Sequence, residues 1–365
     1  MAIPVDERGL RALVYGGAVL GGGGGGSLTA GLKNVREVLR VGAPRIVPLT
    51  ALEDDAILAT LSVVGDPGVA GDFAAAAAHF KRALTLFESF SDHGIEGYLA
   101  SEVGPLAVTY GLRESAATGL PVVDAPANGR AHPLFLMGSL GLHLRPRRAT
   151  ATVAVGGVAG SPKYVELAIR SNVVTAARIV RKHAARARIP LAVVRNPLPV
   201  AVVRHHAASG ALAFAQRVGQ VLLNELAAGA PGVLNQLAPL MGGRVLAVGR
   251  VNSVRLAGRG GFSFGVIKVR CPDELELRIP VCNEFMAVLR GTRPVAAFPD
   301  LVALFDMRTG LPLASSEVRW NQQVAVFAVP QRHLLLGSPM QDRRLLRPIE
   351  KLFAGRPIPN SGAVA

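Results

Sequence analysis

An α/β first part with a largely parallel sheet, followed by a β-rich α+β second part, is the fold class predicted by this chain of 365 residues. Three observations predict it. Up to about residue 124, strand-like and helix-like segments alternate, as they do around an open, largely parallel sheet. From Gly243 onward, short runs with period-two alternation dominate. Half of the residues are hydrophobic and only 18% are charged, so the chain can fill two cores of ordinary size. The expected division is 1–160 for an α/β unit holding a glycine-rich loop and the candidate site, and 161–365 for the β-rich unit.

Taken in order, Leu13 to Tyr15 reads as a short strand, and Gly21 to Gly26, closed by Ser27, must be a loop. Leu28 to Val41 is a helix, with Leu32, Val35, Val38 and Leu39 at helical spacing, Ser27 or Thr29 as cap and Gly42-Ala43-Pro44 as stop. Arg45 to Leu49 is a strand, Phe73 to Phe90 a helix, Gly97 to Leu99 a strand and Leu112 to Thr118 a helix. Pro121 to Asp124 is a buried strand ending in a carboxylate. Val165, Ile169, Val173, Ala176 and Val180 then mark one face of an amphipathic helix, with Arg170, Arg178 and Arg181 opposite. A further helix spans Ala211 to Ala227. The strands Arg244–Val254, Gly261–Arg270, Leu275–Val281, Val302–Asp306 and Val324–Val329 complete the chain.

The formal charge of +15 is concentrated. Residues 141–260 hold 17 basic side chains against Glu166 and Glu225, so the remainder is neutral. Only six of the 40 basic residues are lysines, and aromatic residues make up 5%. With no nucleic-acid motif present, the basic stretch reads as a solvated face or one pairing with acids of the first part, and no nucleic acid is expected. No membrane partner is expected either, because no apolar run reaches the roughly 18–20 residues of a spanning helix. The best run, Leu191 to Val203, is cut by Arg195, Pro197 and Pro199. Asp6, Glu7, Arg8 and Arg11 leave no room for a signal peptide. Cys271 and Cys282 flank a hairpin arm with Pro272, Asp273 and Glu274 at its turn, so they should not face each other, and reduced thiols in a cytoplasm are expected.

Two stretches carry candidate chemistry. The glycine run precedes a helix N-terminus, where backbone amides can approach an anion; Gly23, Gly24 and Ser27 are its binding candidates. Without a Gly-Lys-Ser/Thr sequence it is no Walker loop, and a tight backbone turn at a domain or ligand edge is the plainer reading. The second stretch holds Glu96, Glu102, Asp124, Asn128, Arg130 and His132. An acid, an arginine and a histidine after a buried strand suit general acid/base chemistry on a small polar molecule. The bland alternative has Asp124 capping a turn, Arg130 pairing with it and His132 as a satisfied loop residue. His205 and His206 would point apart in a strand, with no further ligand at metal spacing. Asn283-Glu284 comes after a strand and either enters the site or caps the next helix. Nothing in the sequence demands a metal or a cofactor.

These pieces occur in a familiar order: Gly22–Ser27 before a helix, Val41-Gly42-Ala43, Glu102-Val-Gly104, Gly119-Leu-Pro-Val-Val-Asp124, Gly129-Arg130-Ala131-His132-Pro133, and Ser209-Gly210-Ala211. Then come Gly261-Phe262-Ser-Phe-Gly265, Asn283-Glu284, Pro299-Asp300-Leu301, Thr309-Gly310 and Arg319–Val324. The sequence resembles the S-methyl thiohydantoin desulfurase family, a former domain of unknown function associated with hydantoinase/oxoprolinase-type enzymes. The resemblance implies the fold and an enzyme acting on a five-membered cyclic amide or its sulfur analogue. Water would attack the ring carbon bearing sulfur and a thiolate would leave. Glu102 or Asp124 would be general base, Arg130 would stabilise negative charge or hold a substrate carboxylate, and His132 would protonate the leaving group. The chain departs from the family pattern at Pro105, Leu106 and Ala107, where a glycine and an asparagine are usual, and at Pro126 and Leu134, where acids are usual. Those departures favour the alternative of a non-catalytic small-molecule-binding or accessory homologue. The expected partner is a small-molecule substrate, and self-association into a homo-oligomer stays open.

Overall fold

The computed structural model describes residues 3–65, 77–259, 262–272 and 275–352. The chain opens on α1 (Glu7–Leu20), capped by Asp6, whose carboxylate accepts from the Gly9 amide at 2.7 Å. The strand expected at Leu13 to Tyr15 is therefore the middle of a helix. Gly16 and Gly17 argue against helix by propensity, yet tertiary packing needs them. A Cβ on Gly16 would lie 1.7 Å from the Ala215 carbonyl oxygen, and one on Gly219 would lie 1.7 Å from that of Ala12. The two backbones touch where α1 crosses a later helix, and that burial outweighs the propensity penalty.

After α2 (Leu28–Val41), capped by Ser27, come β1 (Ile46–Val47), β2 (Ile57–Val64), α3 (Ala77–Phe90), β3 (Gly97–Ala100), α4 (Leu112–Thr118) and β4 (Val122–Val123). The expected helix start at Phe73 lies outside the described residues. β5 (Thr150–Gly156) and β6 (Val165–Ser171) form an antiparallel pair, and α5 (Val173–Ala187) follows the cap residue Asn172. The helix expected from Val165 is thus a strand and then a helix. Val165, Leu167 and Ile169 alternate toward the core, so a period of two and a period near four share the same two residues, and pairing with β5 decides between them.

β7 (Leu191–Pro199), α6 (Val200–His206), α7 (Ala211–Glu225) and α8 (Gly229–Met241) complete this half. His205 and His206 end a helix rather than occupy a strand. The first sheet has order β1-β4-β3-β2-β7-β5-β6, parallel from β1 to β2 and antiparallel beyond. α3 covers one of its faces and α5 the other. The expected boundary at residue 160 falls between β5 and β6, within this sheet, and β7 sits between β2 and β5.

The second sheet is wholly antiparallel: β8 (Arg244–Arg259), β9 (Phe262–Arg270), β10 (Glu276–Cys282), β11 (Glu284–Phe285), β12 (Ala287–Arg290), β13 (Arg293–Ala297), β14 (Leu301–Asp306) and β15 (Gln323–Val329), before α9 (Arg347–Leu352). It runs β13-β12-β10-β9-β8-β15-β14, with β11 attached to β10. An α/β first part and a β-rich second part are both present. One core cluster joins α1, α7 and α8 to the first sheet and to Phe305 and Phe327 of β14 and β15. Cys271 and Cys282 are buried free thiols. Gly261, Asp273 and Glu274 lie outside the described residues. Among the described residues no helix is long and apolar enough to cross a membrane.

Candidate active site

A cleft of about 510 Å³ opens at the carboxyl ends of β2 and β3, the place where open α/β sheets bind ligands. The glycine loop forms one wall, with Gly23, Gly24 and Ser27 on its lining. Four glycines there have positive φ: Gly22, Gly23, Gly25 and Gly26. Each glycine from 22 to 26 faces a different neighbour. A Cβ on Gly23 would meet the Phe285 ring at 2.7 Å, one on Gly24 would meet Glu284 Oε1 at 2.1 Å, and one on Gly25 would meet the Gly104 Cα at 2.5 Å. The Gly22 carbonyl accepts from the Phe285 amide and the Gly23 carbonyl from the Ser315 amide, both at 2.8 Å. The run lets the first half of the chain slide beneath the second. The Glu284 side chain lies against it.

Glu102 follows β3 and its side chain remains 16% exposed at the cleft. Its Oε2 accepts from the His132 amide at 3.1 Å and lies 3.5 Å from His132 Nε2. Burial pushes its carboxyl up to about 7, against the opposing pull of the His132 amide, Arg195 and Arg130. His132 is buried, and that burial, with Arg195 adding to it, holds the ring at about 3. It is neutral at pH 7, so it serves as a hydrogen-bonding group and not as an imidazolium. Glu284 enters the cleft from β11, 2% exposed, with Oε2 lacking any hydrogen-bond partner. Burial first, and then the charge of Glu102, raise its pKa well above the carboxyl norm. Asn283, at φ 61°, lines the cleft too, but its carboxamide accepts from the Ser263 amide at 2.9 Å and its carbonyl from the Ser315 hydroxyl at 2.5 Å. It shapes the turn that delivers Glu284.

Other candidates stand elsewhere. Asp124 is not on the cleft lining; it accepts from the amides of Leu212 at 2.7 Å and Ala213 at 3.4 Å and so caps α7. Arg130 does not pair with it. Arg130 is fully buried behind Gly22, donating from Nη1 to the carbonyls of Pro299 at 2.9 Å and Asp300 at 2.5 Å, with its guanidinium 4.8 Å from the Phe298 ring centroid. It ties the two halves together, and burial lowers its pKa to about 10. Asn128 bridges the Met137 carbonyl and the Gly337 amide. Glu96 accepts from the Ile57 amide. Of the Asn128-to-Pro133 motif, His132 and Pro133 reach the cleft.

Sequence reasoning misses Arg195 and Arg181 as site residues, and both stand on the cleft wall. In the sequence Arg195 is merely an interruption of an apolar run, and that interruption is the usable signal: a lone cation in a buried strand. Among the described residues no group of three or more His, Cys, Asp or Glu is arranged to hold a metal ion.

Two family models match the chain, the N-terminal domain of S-Me-THD-like proteins over residues 8–155 and their C-terminal domain over residues 170–340. The chain belongs to the S-Me-THD-like family. This S-Me-THD-like protein is also similar to a crystal structure of a protein from Chromobacterium violaceum, with a TM-score of 0.68 and 19% identity over 95% of each chain. At that identity the likeness carries the fold. No curated protein matches the chain. Of its departures from the family pattern, Leu106, Ala107 and Leu134 border the cleft, whereas Pro105 and Pro126 do not.

Proposed function

We propose that this S-Me-THD-like chain is a cytoplasmic hydrolase that replaces sulfur by oxygen on a small five-membered cyclic amide, with Glu102 and Glu284 as its working acids. The observation that carries the reading is a pair of buried carboxyls, one from each half of the chain, meeting in one cleft with unequal proton affinities. Paired carboxyls whose environments separate their pKa values divide the roles of base and acid.

Ionised Glu102 takes a proton from the attacking water as its oxygen bonds to the ring carbon. The carbon–sulfur bond then breaks, and protonated Glu284 delivers its proton to the departing thiolate. Proton transfer from Glu102 to Glu284 restores the start, so water and a ring C–S bond become a ring carbonyl and a thiol. His132 holds the Glu102 carboxylate in place. Each such acid or base is worth roughly 10²–10⁴-fold in rate.

Thiol release from an S-methyl thiohydantoin tests this. The wild-type protein should release thiol, and Glu102→Gln and Glu284→Gln should each lower kcat by about 10²-fold or more. Unchanged rates in both variants would refute the assignment. The apolar side chain of Leu134 at the cleft, where the family usually carries an acid, favours a second reading: a binder without turnover. Ligand-induced thermal stabilisation with no thiol released would establish it.

A further inference from the structure

The second sheet has two faces of opposite character. On one, Val251, Ile267, Val269, Leu277 and Ile279 build a core cluster with residues of β14 and β15. The other face is covered over β14 and β15, where Phe305 and Phe327 join the cluster of α1, α7 and α8. Over β8, β9 and β10 that outer face is basic. Arg250 of β8 is directly opposite Arg270 of β9 and Gln323 of β15, and Arg270 is opposite Glu276 of β10. Lys268 is opposite Arg278, and Arg255 is opposite Val266. Residues directly opposed across antiparallel strands, and residues two apart along one strand, share a face. Five cations and one carboxylate therefore stand together. Glu276 is already engaged, accepting from Lys268 Nζ at 2.7 Å and Asn252 Nδ2 at 2.9 Å. Among the described residues Arg250, Arg255, Arg270 and Arg278 form no ion pair.

The same face carries exposed apolar side chains. Val245 and Val248 are opposite Phe327 and Ala325, hence on the side of Arg250, and they are 41% and 36% exposed. Arg250 Nη1 donates to the Asn321 carbonyl at 3.0 Å, and the residue before it, Trp320, is 72% exposed. Trp320 is the only tryptophan in the chain. A single exposed apolar residue needs no explanation, but three around one set of arginines call for a cover.

Charge and shape decide among covers. A second copy meeting this face about a twofold axis would set arginine against arginine. A nucleic acid would satisfy the guanidinium groups but leave Val245 and Val248 unused, and one indole is a poor platform for successive bases. An anionic bilayer surface suits both sets of groups, with acidic headgroups for the arginines and the headgroup boundary for the indole and the valines. We propose that the outer face of β8, β9 and β10 docks the protein on an anionic lipid surface. Trp320 enters the headgroup region, and Arg250, Arg255, Arg270 and Arg278 supply the attraction. The lack of a long apolar run, from which the sequence predicts no membrane partner, bears on spanning alone, and peripheral docking needs no spanning helix. The cleft stays open in this pose, because Ser263 on its wall and Arg270 stand at opposite ends of β9, about 23 Å apart. The proposal is independent of the reaction at Glu102 and Glu284.

Vesicles of phosphatidylcholine alone, and of phosphatidylcholine and phosphatidylserine in equal parts, test it with the full chain. Indole emission has a single source, so its shift to the blue reads the docked state directly. Wild-type protein should shift and cosediment with the anionic vesicles at low salt, ignore the neutral ones, and lose most binding at high salt. Combining Arg250→Gln with Arg270→Gln should weaken binding at least about tenfold, at roughly fivefold per arginine. Trp320→Ala should weaken cosedimentation about threefold or more. These side chains are exposed, so circular dichroism should show both variants folded. No shift with anionic vesicles at low salt, equal binding to neutral vesicles, or binding unchanged in both variants would each overturn the proposal. So would tighter binding to a single-stranded oligonucleotide than to the anionic vesicles, or dimers in sedimentation equilibrium that Trp320→Ala dissolves.

Discussion

Glu102 carries two pH dependences at the residue scale. Its folded-state pKa of about 7 lies above the ordinary carboxyl value of 4.5, so the folded protein binds the proton more tightly than the unfolded chain. The stability this contributes is fully present below about pH 4.5 and is lost as pH rises through 7. Glu102→Gln should therefore raise stability at pH 8 by roughly 2–3 kcal/mol relative to wild type and flatten the pH 5–8 segment of a denaturant-midpoint series. If Glu102 is the base, activity should climb through an apparent pKa near 7 over the range in which stability declines. Arg130 is a different kind of residue. Replacing it by Met would orphan the Pro299 and Asp300 carbonyls and should cost about 2–4 kcal/mol by urea denaturation. Its type marks it for catalysis in the sequence, but what a buried guanidinium does depends on which carbonyls surround it, and those come from residues 169 and 170 positions away.

Loops and caps at the element scale are legible as loops and caps, though not by what they touch. The glycine run is a clear interruption between helices, and the structure makes it a joint. Gly25→Ala would add a Cβ at φ 73° and 2.5 Å from the Gly104 Cα, a backbone neighbour that cannot swing aside. A loss of about 2–4 kcal/mol is expected. Asp124 is a helix cap, so Asp124→Ala should lose about 1–2 kcal/mol of stability whereas Asp124→Asn should keep most of it. Equal losses from both would contradict the capping role. The strand Val165–Ser171 reads as helix in the sequence because alternation over seven residues is indistinguishable from a helical stripe when Val165 and Ile169 stand four apart. β2, the central strand of the first sheet, is flanked by the turn residues Asp54, Asp55 and Gly65, but Ile57–Val64 is buried on both faces and so shows no clean period-two alternation.

At the scale of the whole molecule one core cluster draws residues from both halves. A fragment ending at residue 160 would lack β7, exposing the paired edges of both β2 and β5. Circular dichroism should show that fragment without a cooperative thermal transition, while the full chain unfolds in a single one; an independently cooperative fragment would contradict this. The basic segment 141–260 is likewise spread by the fold. Arg170 pairs with Asp92 and Arg204 with Asp54, exposed pairs worth little individually. Arg181 lies 4.1 Å from the Phe262 ring centroid at the cleft, and Arg195 lies within it. The sequence by itself determined the order of α/β and β-rich parts, the helices with clear caps, the family, and Glu102 and Glu284 among the acids that line the cleft. Those follow from local periodicity and from motifs read in order. Only tertiary structure decided that Asp124 meets the first amides of α7, that Asn128 and Arg130 bond distant backbone and that Arg195 stands on the cleft wall, because a side chain's proton affinity and partners are set by neighbours distant in sequence.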